Sequence, residues 1–335
     1  MTSTRIMTSE ERSSFTTNYP EFSSTVTNTF QLPGLAEGYT PQGITSLNDE
    51  LLLISLYREF HIGSKMPSLF AVLNGTDMVG VYNLHLEDGT PFYGHVGGVT
   101  KAKDFIWTVD DYQLYGFKAD DILDSLSSVG DNVVQDLKAT HHKFVDAKAS
   151  FVFNDGNENL WIGDFYEPGF IFTIPGWHQE GWVAGYELDS SGVPTASDTY
   201  DLGTKGYNVL KPDTALFIKQ GIQGFLKCDN VVGLSQAFGL YDASIALYES
   251  PFNGDTERVE LPDGTSLAVY KIAEEPAHKV SLPTGSEDLD CKCGKGGRNE
   301  AAVLFESASY IYKEPIRLAG GNIDDRAFTF VLPEV

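Results

Sequence analysis

Cysteine is nearly absent: the 335 residues hold three, Cys228, Cys291 and Cys293. An odd, sparse set is not the framework of a disulfide-stapled domain, and Cys291-Lys292-Cys293 is too tight for the CxxC of a redox or zinc site. Positive charge is also scarce, with 23 Lys+Arg against 47 Asp+Glu and a formal net charge of −24. Nucleic acids and anionic membrane surfaces are held by clustered cations, so neither is expected as a partner. No apolar run approaches the roughly 18 residues that suggest a bilayer crossing. GxSxG, GxxxxGK[ST], helix-opening GxGxxG and HExxH are all missing, which leaves no expectation of a nucleotide cofactor or serine-hydrolase chemistry. Met1 to Ser14 lack the apolar stretch of a signal peptide, so the expected location is the cytoplasm, the alternative being secretion with the leader removed.

Long helical patterns are missing as well, the best being Lys118 to Leu126. What is abundant is short runs of β-branched and aromatic residues between turns, with 33 Gly and 15 Pro to make them. Five segments repeat one plan: a small or polar doublet, an apolar strand, a tight polar turn and a second apolar strand. They open at Gln42, Gly97, Ala149, Gln223 and Glu287, with spacings of 55, 52, 74 and 64 residues. A third strand follows each pair, and candidate fourth strands include Thr199 to Leu202 and Glu257 to Leu261. Periods of this size describe β-propeller blades. The fold expected is therefore all-β: a polar N-terminal arm over residues 1–22 and a single propeller over 23–335. Five blades are read. Six are possible, since Lys205 to Ile218 has room for part of another. The strand at Ser23 to Leu32 would complete the last blade and close the ring.

In a propeller the first strand of each blade lines the central channel, and ligands sit at one mouth. Gln42, Gln223 and Glu287 would stand there, with Lys148 and Asp288 nearby; the Gln-Gly and Gly-Gly openings fit close backbone approach equally well. A second ring forms where the next strands end, at Tyr57, Asp110, Asp164 and Glu306. Converging carboxylates hold a hard cation such as Ca²⁺, split their pKa values for acid–base work, or cap turns. His95, between glycines at a blade entrance, is the candidate proton carrier, with Tyr93 two residues away. The aromatic loop containing Trp177 and His178 would roof a pocket for an apolar or sugar-like ligand. The catalytic candidates are thus His95, Glu287, Asp110 and Tyr93. The binding candidates are Gln42, Tyr57, Lys148, Trp177, His178 and Gln223.

The repeat plan, with openings such as Pro41-Gln42-Gly43-Ile44 and Ile222-Gln223-Gly224-Phe225, resembles the broad group of gluconolactonase-like and strictosidine-synthase-like propellers. Members are usually six-bladed, and many hold a divalent metal at the mouth on a Glu, Asn and Asp set. That resemblance implies matching carboxylates at Glu287, Asp164 and Asp110; with the carboxylate ring of the repeats, the metal candidates are Glu287, Asp164 and Glu306, for Ca²⁺ or another divalent ion. Five-bladed sugar hydrolases also use three carboxylates, although their usual opening motif is absent here. The expected function is hydrolysis, lyase or cyclisation chemistry on a small organic substrate. The alternatives are a carbohydrate-active hydrolase or lyase and a non-catalytic binding propeller.

Overall fold

The computed structural model describes residues 5–58, 66–129, 133–156, 158–165, 181–203, 206–237, 240–292, 299–333 and 335. Two short helices, α1 (Ser9–Asn18) and α2 (Pro20–Thr25), precede β1 (Val26–Gln31). A capping box starts α1: Thr8 Oγ1 accepts from Glu11 N while Glu11 accepts from Thr8 N. This segment is polar in composition but anchored by three aromatics. Phe15 stacks on Phe328 with ring centres 5.2 Å apart, and Phe22 meets Phe330 edge-on at the same distance. Tyr19, also buried, donates its hydroxyl to Asp242. Buried Asp325 fastens the chain start, accepting from Ile6 N, Met7 N and Arg12.

The first meander is β2 (Tyr39–Ser46), β3 (Leu51–Arg58), β4 (Leu69–Asn74) and β5 (Asp77–His85). Next come β6 (Gly97–Ala102) and β7 (Phe105–Lys118), then α3 (Ala119–Val129), and β8 (Val133–Lys138), which joins β5 in parallel. α3 falls where the helical stretch was read. β7 pairs with β6 along its first half and with the start of β9 (His141–Asn154) along its second. It doubles back at Asp111, whose φ of 53° lies in the left-handed region, so that Ala119 N reaches Asp104 O. The later half of β9 pairs with β10 (Asn159–Asp164), followed by β11 (Gly181–Glu187), β12 (Thr199–Asp201), β13 (Asn208–Leu210) and β14 (Thr214–Ile218). The next sheet runs β15 (Ile222–Cys228), β16 (Val231–Gln236) and β17 (Ala243–Glu249). The hairpin of β18 (Glu257–Glu260) and β19 (Ser266–Lys271) precedes its last strand, β20 (His278–Leu282). β21 (Ser286–Lys292), β22 (Glu300–Phe305), the short α4 (Lys313–Leu318) and β23 (Arg326–Val331) complete the chain, and β1 pairs with β23.

The chain is thus all-β, and the five expected pairs of opening strands are present. Two assignments of fourth strands are corrected. Residues 199–201 pair with β13, and the strand beside β11 is β14, so β13 and β14, within the stretch read as room for part of another blade, extend the third sheet. Residues 257–261 belong to a hairpin that β19 attaches to β14, while β20 edges β17. Both errors have one source: a short alternating run fits any sheet edge, and sequence does not say which edge is open.

The first strands pack side by side in cyclic order, β2 on β6, β6 on β9, β9 on β15, β15 on β21 and β21 on β2. Glycine makes this approach possible. A Cβ on Gly43 would sit 2.4 Å from Val99 N, and one on Gly224 would sit 2.7 Å from Glu287 O. Apolar side chains fill the spaces between sheets, among them Phe70, Tyr82 and Ile106 in one cluster and Trp161, Phe225 and Phe328 in another.

Cys228 and Cys291 form a disulfide joining β15 to β21, a pairing that the sparse count of three had argued against; Cys293 lies outside the described residues. The bridge closes a loop of 63 residues, which on chain-entropy grounds constrains the unfolded state by about 4 kcal/mol. Urea denaturation with and without reductant should therefore show the midpoint falling on reduction. An unchanged midpoint would mean the bridge carries no stability.

Candidate functional site

Every second strand runs back beside the start of its first strand. Pro41 pairs with Leu56, Gly97 with Val109, Ala149 with Asp164, Ile222 with Gln236 and Ser286 with Phe305. The two polar rings read from the repeats therefore lie at one end of the sheets. Immediately inside this end, each first strand carries a β-bulge that leaves residues unpaired: Gln42, Gly98, Ser150, Gln223, and the doublet Glu287-Asp288. A bulge re-aims side chains that regular pleating would alternate, which is why it recurs beside sites. The repeat alignment placed Gly97 and Ala149 at this position; in both strands the unpaired residue is one further on.

Glu287 is 2% exposed and lies close to Glu306, whose charge it feels. Burial, then the Glu306 charge, hold the Glu287 carboxyl well above the usual carboxylate range. Two carboxamides complete the group. Gln42 Nε2 donates to Glu306 Oε2 at 3.2 Å and to Pro41 O at 2.9 Å, and Gln223 Nε2 donates to Glu287 Oε1 at 3.4 Å. Two carboxyls this close do not both ionise at neutral pH, so the pair keeps a proton.

The next carboxyl, Asp288, does different work. Its Oδ2 accepts from Val99 N at 3.0 Å and Ile44 N at 3.4 Å, tying β21 to β6 and β2. Asp290 accepts from Ser46 N at 2.8 Å in the same seam.

At this end of the first two strand pairs, Asp110 Oδ1 accepts from the backbone N–H of His95 at 3.0 Å. The exposed His95 ring lies 4.3 Å from the buried Tyr57 ring. Gly94 is required here, because a Cβ would fall 2.4 Å from Asp110 Oδ2. Tyr93 is exposed on the same loop.

Asp164 stands in a third group. It accepts from Trp182 N at 2.8 Å, and burial pushes its carboxyl up to about 8; Asp146 adds to the rise while the Trp182 N–H and Lys148 oppose it. Buried Asp146 accepts the Tyr200 hydroxyl, and its N–H donates to Tyr186 Oη at 2.9 Å. Tyr112, raised by burial, faces Asp164, Asp111 and Asp146.

Glu287, Glu306, Gln42 and Gln223 are thus brought together, as are Tyr57, His95 and Asp110, while Lys148 belongs with Asp164. Trp177 and His178 lie outside the described residues. Asp164 is not equivalent to Asp110 and Glu306: it pairs directly with Ala149, whereas they lie one residue past Val109 and Phe305, the last paired positions. The trio Glu287, Asp164 and Glu306 forms no cage. Among the described residues no group of three or more His, Cys, Asp or Glu is placed to hold a metal ion. Sequence reasoning missed the Asp146–Tyr200 contact and the seam role of Asp288. Only the adjacency Glu287-Asp288 hinted at the latter.

No family model matches the chain, and no curated protein sequence matches it significantly. Solved structures with some likeness include a GH43_1 enzyme from Xanthomonas citri, at TM-score 0.40 and 12% identity over 94% of this chain and 92% of that one. Hsv2 of Kluyveromyces lactis follows at TM-score 0.29 and 10% identity, covering 80% and 61%. The computationally designed Ika8 protein gives 0.28 and 8%, covering 87% and 71%. Scores this low assign neither site nor activity.

Glu287, Asp288, Asp290, Asp164 and Asp324 are all raised, Asp324 to about 6, and burial is the leading cause in each. The folded chain therefore binds protons that the unfolded chain releases above about pH 4, and these groups make stability fall as pH rises. For Asp164 the window runs from about 4 to about 8. Asp164→Asn should remove up to about 1.4 kcal/mol per pH unit of that slope. Denaturant titrations of both proteins at several pH values in this window measure it; parallel curves would show Asp164 to be ionised in the folded state.

Proposed function

We propose that the five strand repeats, which lie in four hydrogen-bonded sheets, are blades of one five-bladed β-propeller and that its mouth hydrolyses a neutral glycoside. The cyclic packing of β2, β6, β9, β15 and β21 supports the first part, as does the pairing of β1 with β23 in the last sheet. The second part rests on one observation, the neighbouring carboxyls of Glu287 and Glu306, each accepting from a carboxamide, Gln223 and Gln42 respectively. A pair that keeps a proton at neutral pH is a general acid. Gln42 and Gln223 offer amide groups to sugar hydroxyls, and the Tyr57–His95 ring contact offers a face for a sugar ring. A net charge of −24 disfavours polyanionic substrates.

In this reading the Glu287–Glu306 pair gives its proton to the leaving oxygen as the glycosidic C–O bond breaks. Water bonds to the anomeric carbon and loses its proton to Asp110, held in place by His95 N–H. The small-molecule hydrolase among the expected readings would use the same proton donor and water on another bond; the lyase and cyclase readings would use the proton donor without water. The Cys228–Cys291 bridge favours an oxidising compartment over the cytoplasm. No helix among the described residues is long and apolar enough to cross a membrane.

A panel of neutral aryl glycosides, alongside aryl esters and lactones, tests the reading. One glycoside should be turned over, with activity failing as rising pH deprotonates the pair. Glu287→Gln and Glu306→Gln should each lower kcat about 10²–10⁴-fold, the usual worth of a general acid. Esters or lactones cleaved in place of glycosides would overturn it. Ca²⁺ and EDTA in the same assay distinguish a proton-sharing pair, indifferent to both, from one neutralised by a divalent ion.

A further inference from the structure

The hairpin of β18 and β19 belongs in sequence to the fourth repeat, but it leaves that repeat's sheet and attaches to β14 of the third. Between the hairpin and the connections of the third sheet lies a cavity of about 450 Å³, a size that admits a small molecule. Three segments wall it: the connection from β11 to β12, the turn from β13 to β14, and the hairpin itself. Neither the glutamate pair, nor its carboxamides, nor the Asp164 group is part of the lining.

Four charged residues line the cavity: Lys211, Arg258, Asp198 and Asp213. The two cations reach adjacent residues of the hairpin. Lys211 Nζ donates to Thr265 Oγ1 at 2.7 Å, and Arg258 Nη1 comes within 3.5 Å of Ser266 Oγ. The two acids are carried by the neighbouring segments. Lys211 N donates to Asp198 O at 2.9 Å, which sets those two residues side by side, and Asp213 Oδ2 accepts from Glu187 N at 2.9 Å. Pro212, between Lys211 and Asp213, fixes the backbone of the turn that carries both. Among the described residues none of the four forms an ion pair with another. Opposite charges that line one cavity without meeting leave a place for a ligand that meets both. Buried Pro212 and Leu267 add apolar surface to the lining.

We propose that this cavity binds a small zwitterion, an α-amino acid with an apolar side chain. The ligand's carboxylate meets Lys211 and Arg258, groups suited to oxyanions, and its ammonium meets Asp198 and Asp213. Its side chain rests on Pro212 and Leu267. A molecule with a carboxylate alone brings a like charge to the two acids, and one with an ammonium alone brings a like charge to the two cations. A zwitterion carries no net charge, so a chain of charge −24 does not repel it as it would an anion. The cavity shares no residue with the mouth and stands whether or not a glycoside is cleaved there.

Isothermal titration of the full chain with L-alanine, L-valine, L-leucine and L-proline, each tried separately, tests this assignment. At least one should bind. Its amide, which lacks the carboxylate, and its N-acetyl derivative, which lacks the ammonium, should each bind about tenfold more weakly or worse. Lys211→Met and Asp198→Asn should each weaken the free amino acid about tenfold. Lys279→Met, on β20 and outside the cavity, should leave its affinity unchanged. Binding of none of the four amino acids overturns the proposal. So does equal affinity for the amide or the N-acetyl derivative, or unchanged affinity in either lining variant. Both derivatives are titrated into wild type, so the need for two charges is decided without relying on the folding of a variant.

Discussion

One buried carboxyl group, that of Asp288, ties three of the first strands together. Asp288 extends from β21 and accepts backbone N–H groups of Ile44 on β2 and Val99 on β6, so a single side chain fastens three first strands belonging to three sheets. Backbone groups beside a bulge lose their ladder partner, and an N–H buried without an acceptor costs about 1–3 kcal/mol. Val99 follows the bulged Gly98 directly, and Ile44 lies two residues past the bulged Gln42. The carboxylate supplies the acceptor where strands from separate sheets meet. Its neighbour Glu287 shares the bulge but joins the glutamate pair instead. Scaffold and candidate site are thus adjacent residues of one irregularity.

Burial of acid follows from the same geometry. First strands close enough to require Gly43 and Gly224 leave little water beside the bulges, and carboxyls placed there meet a medium that disfavours their charge. Glu287, Asp288 and Asp164 are raised for this reason before any neighbour is counted. Proton retention at the mouth is therefore a product of how tightly the strands converge. Asp110 is only partly buried and its loop is open, so it meets water more freely than the pair does.

The repeat plan was legible because in four of the five repeats a short polar run, such as Asn48-Asp49-Glu50, separates the first and second strands; the fifth carries a longer insert from Cys291 to Asn299. The polar openings Gln42, Gln223 and Glu287 stood out because they interrupt apolar strands, and they are unpaired at bulges. The one-residue offsets at Gly98 and Ser150 were not legible, since a bulge changes register without changing composition. Nor was the Cys228–Cys291 bridge, which depends on β15 lying beside β21, a contact between residues 63 positions apart. Residues 1–22 read as a polar arm because Phe15, Tyr19 and Phe22 are spread among polar neighbours; the helical winding of α1 and α2 brings the three into one apolar cluster.

The pairing of β1 with β23 brings together strands from nearly opposite ends of the chain. On a ribosome the first of these emerges some three hundred residues before the second, as their positions at 26–31 and 326–331 require. Through most of synthesis β1 therefore has unsatisfied edges and no native partner, a condition that invites pairing with other chains. The early anchors Phe15 and Phe22 share the delay, since Phe328 and Phe330 come last. Completion of this fold waits on a contact that spans about 300 residues. Loss of even the final six-residue strand would strand the beginning of the chain along with its end.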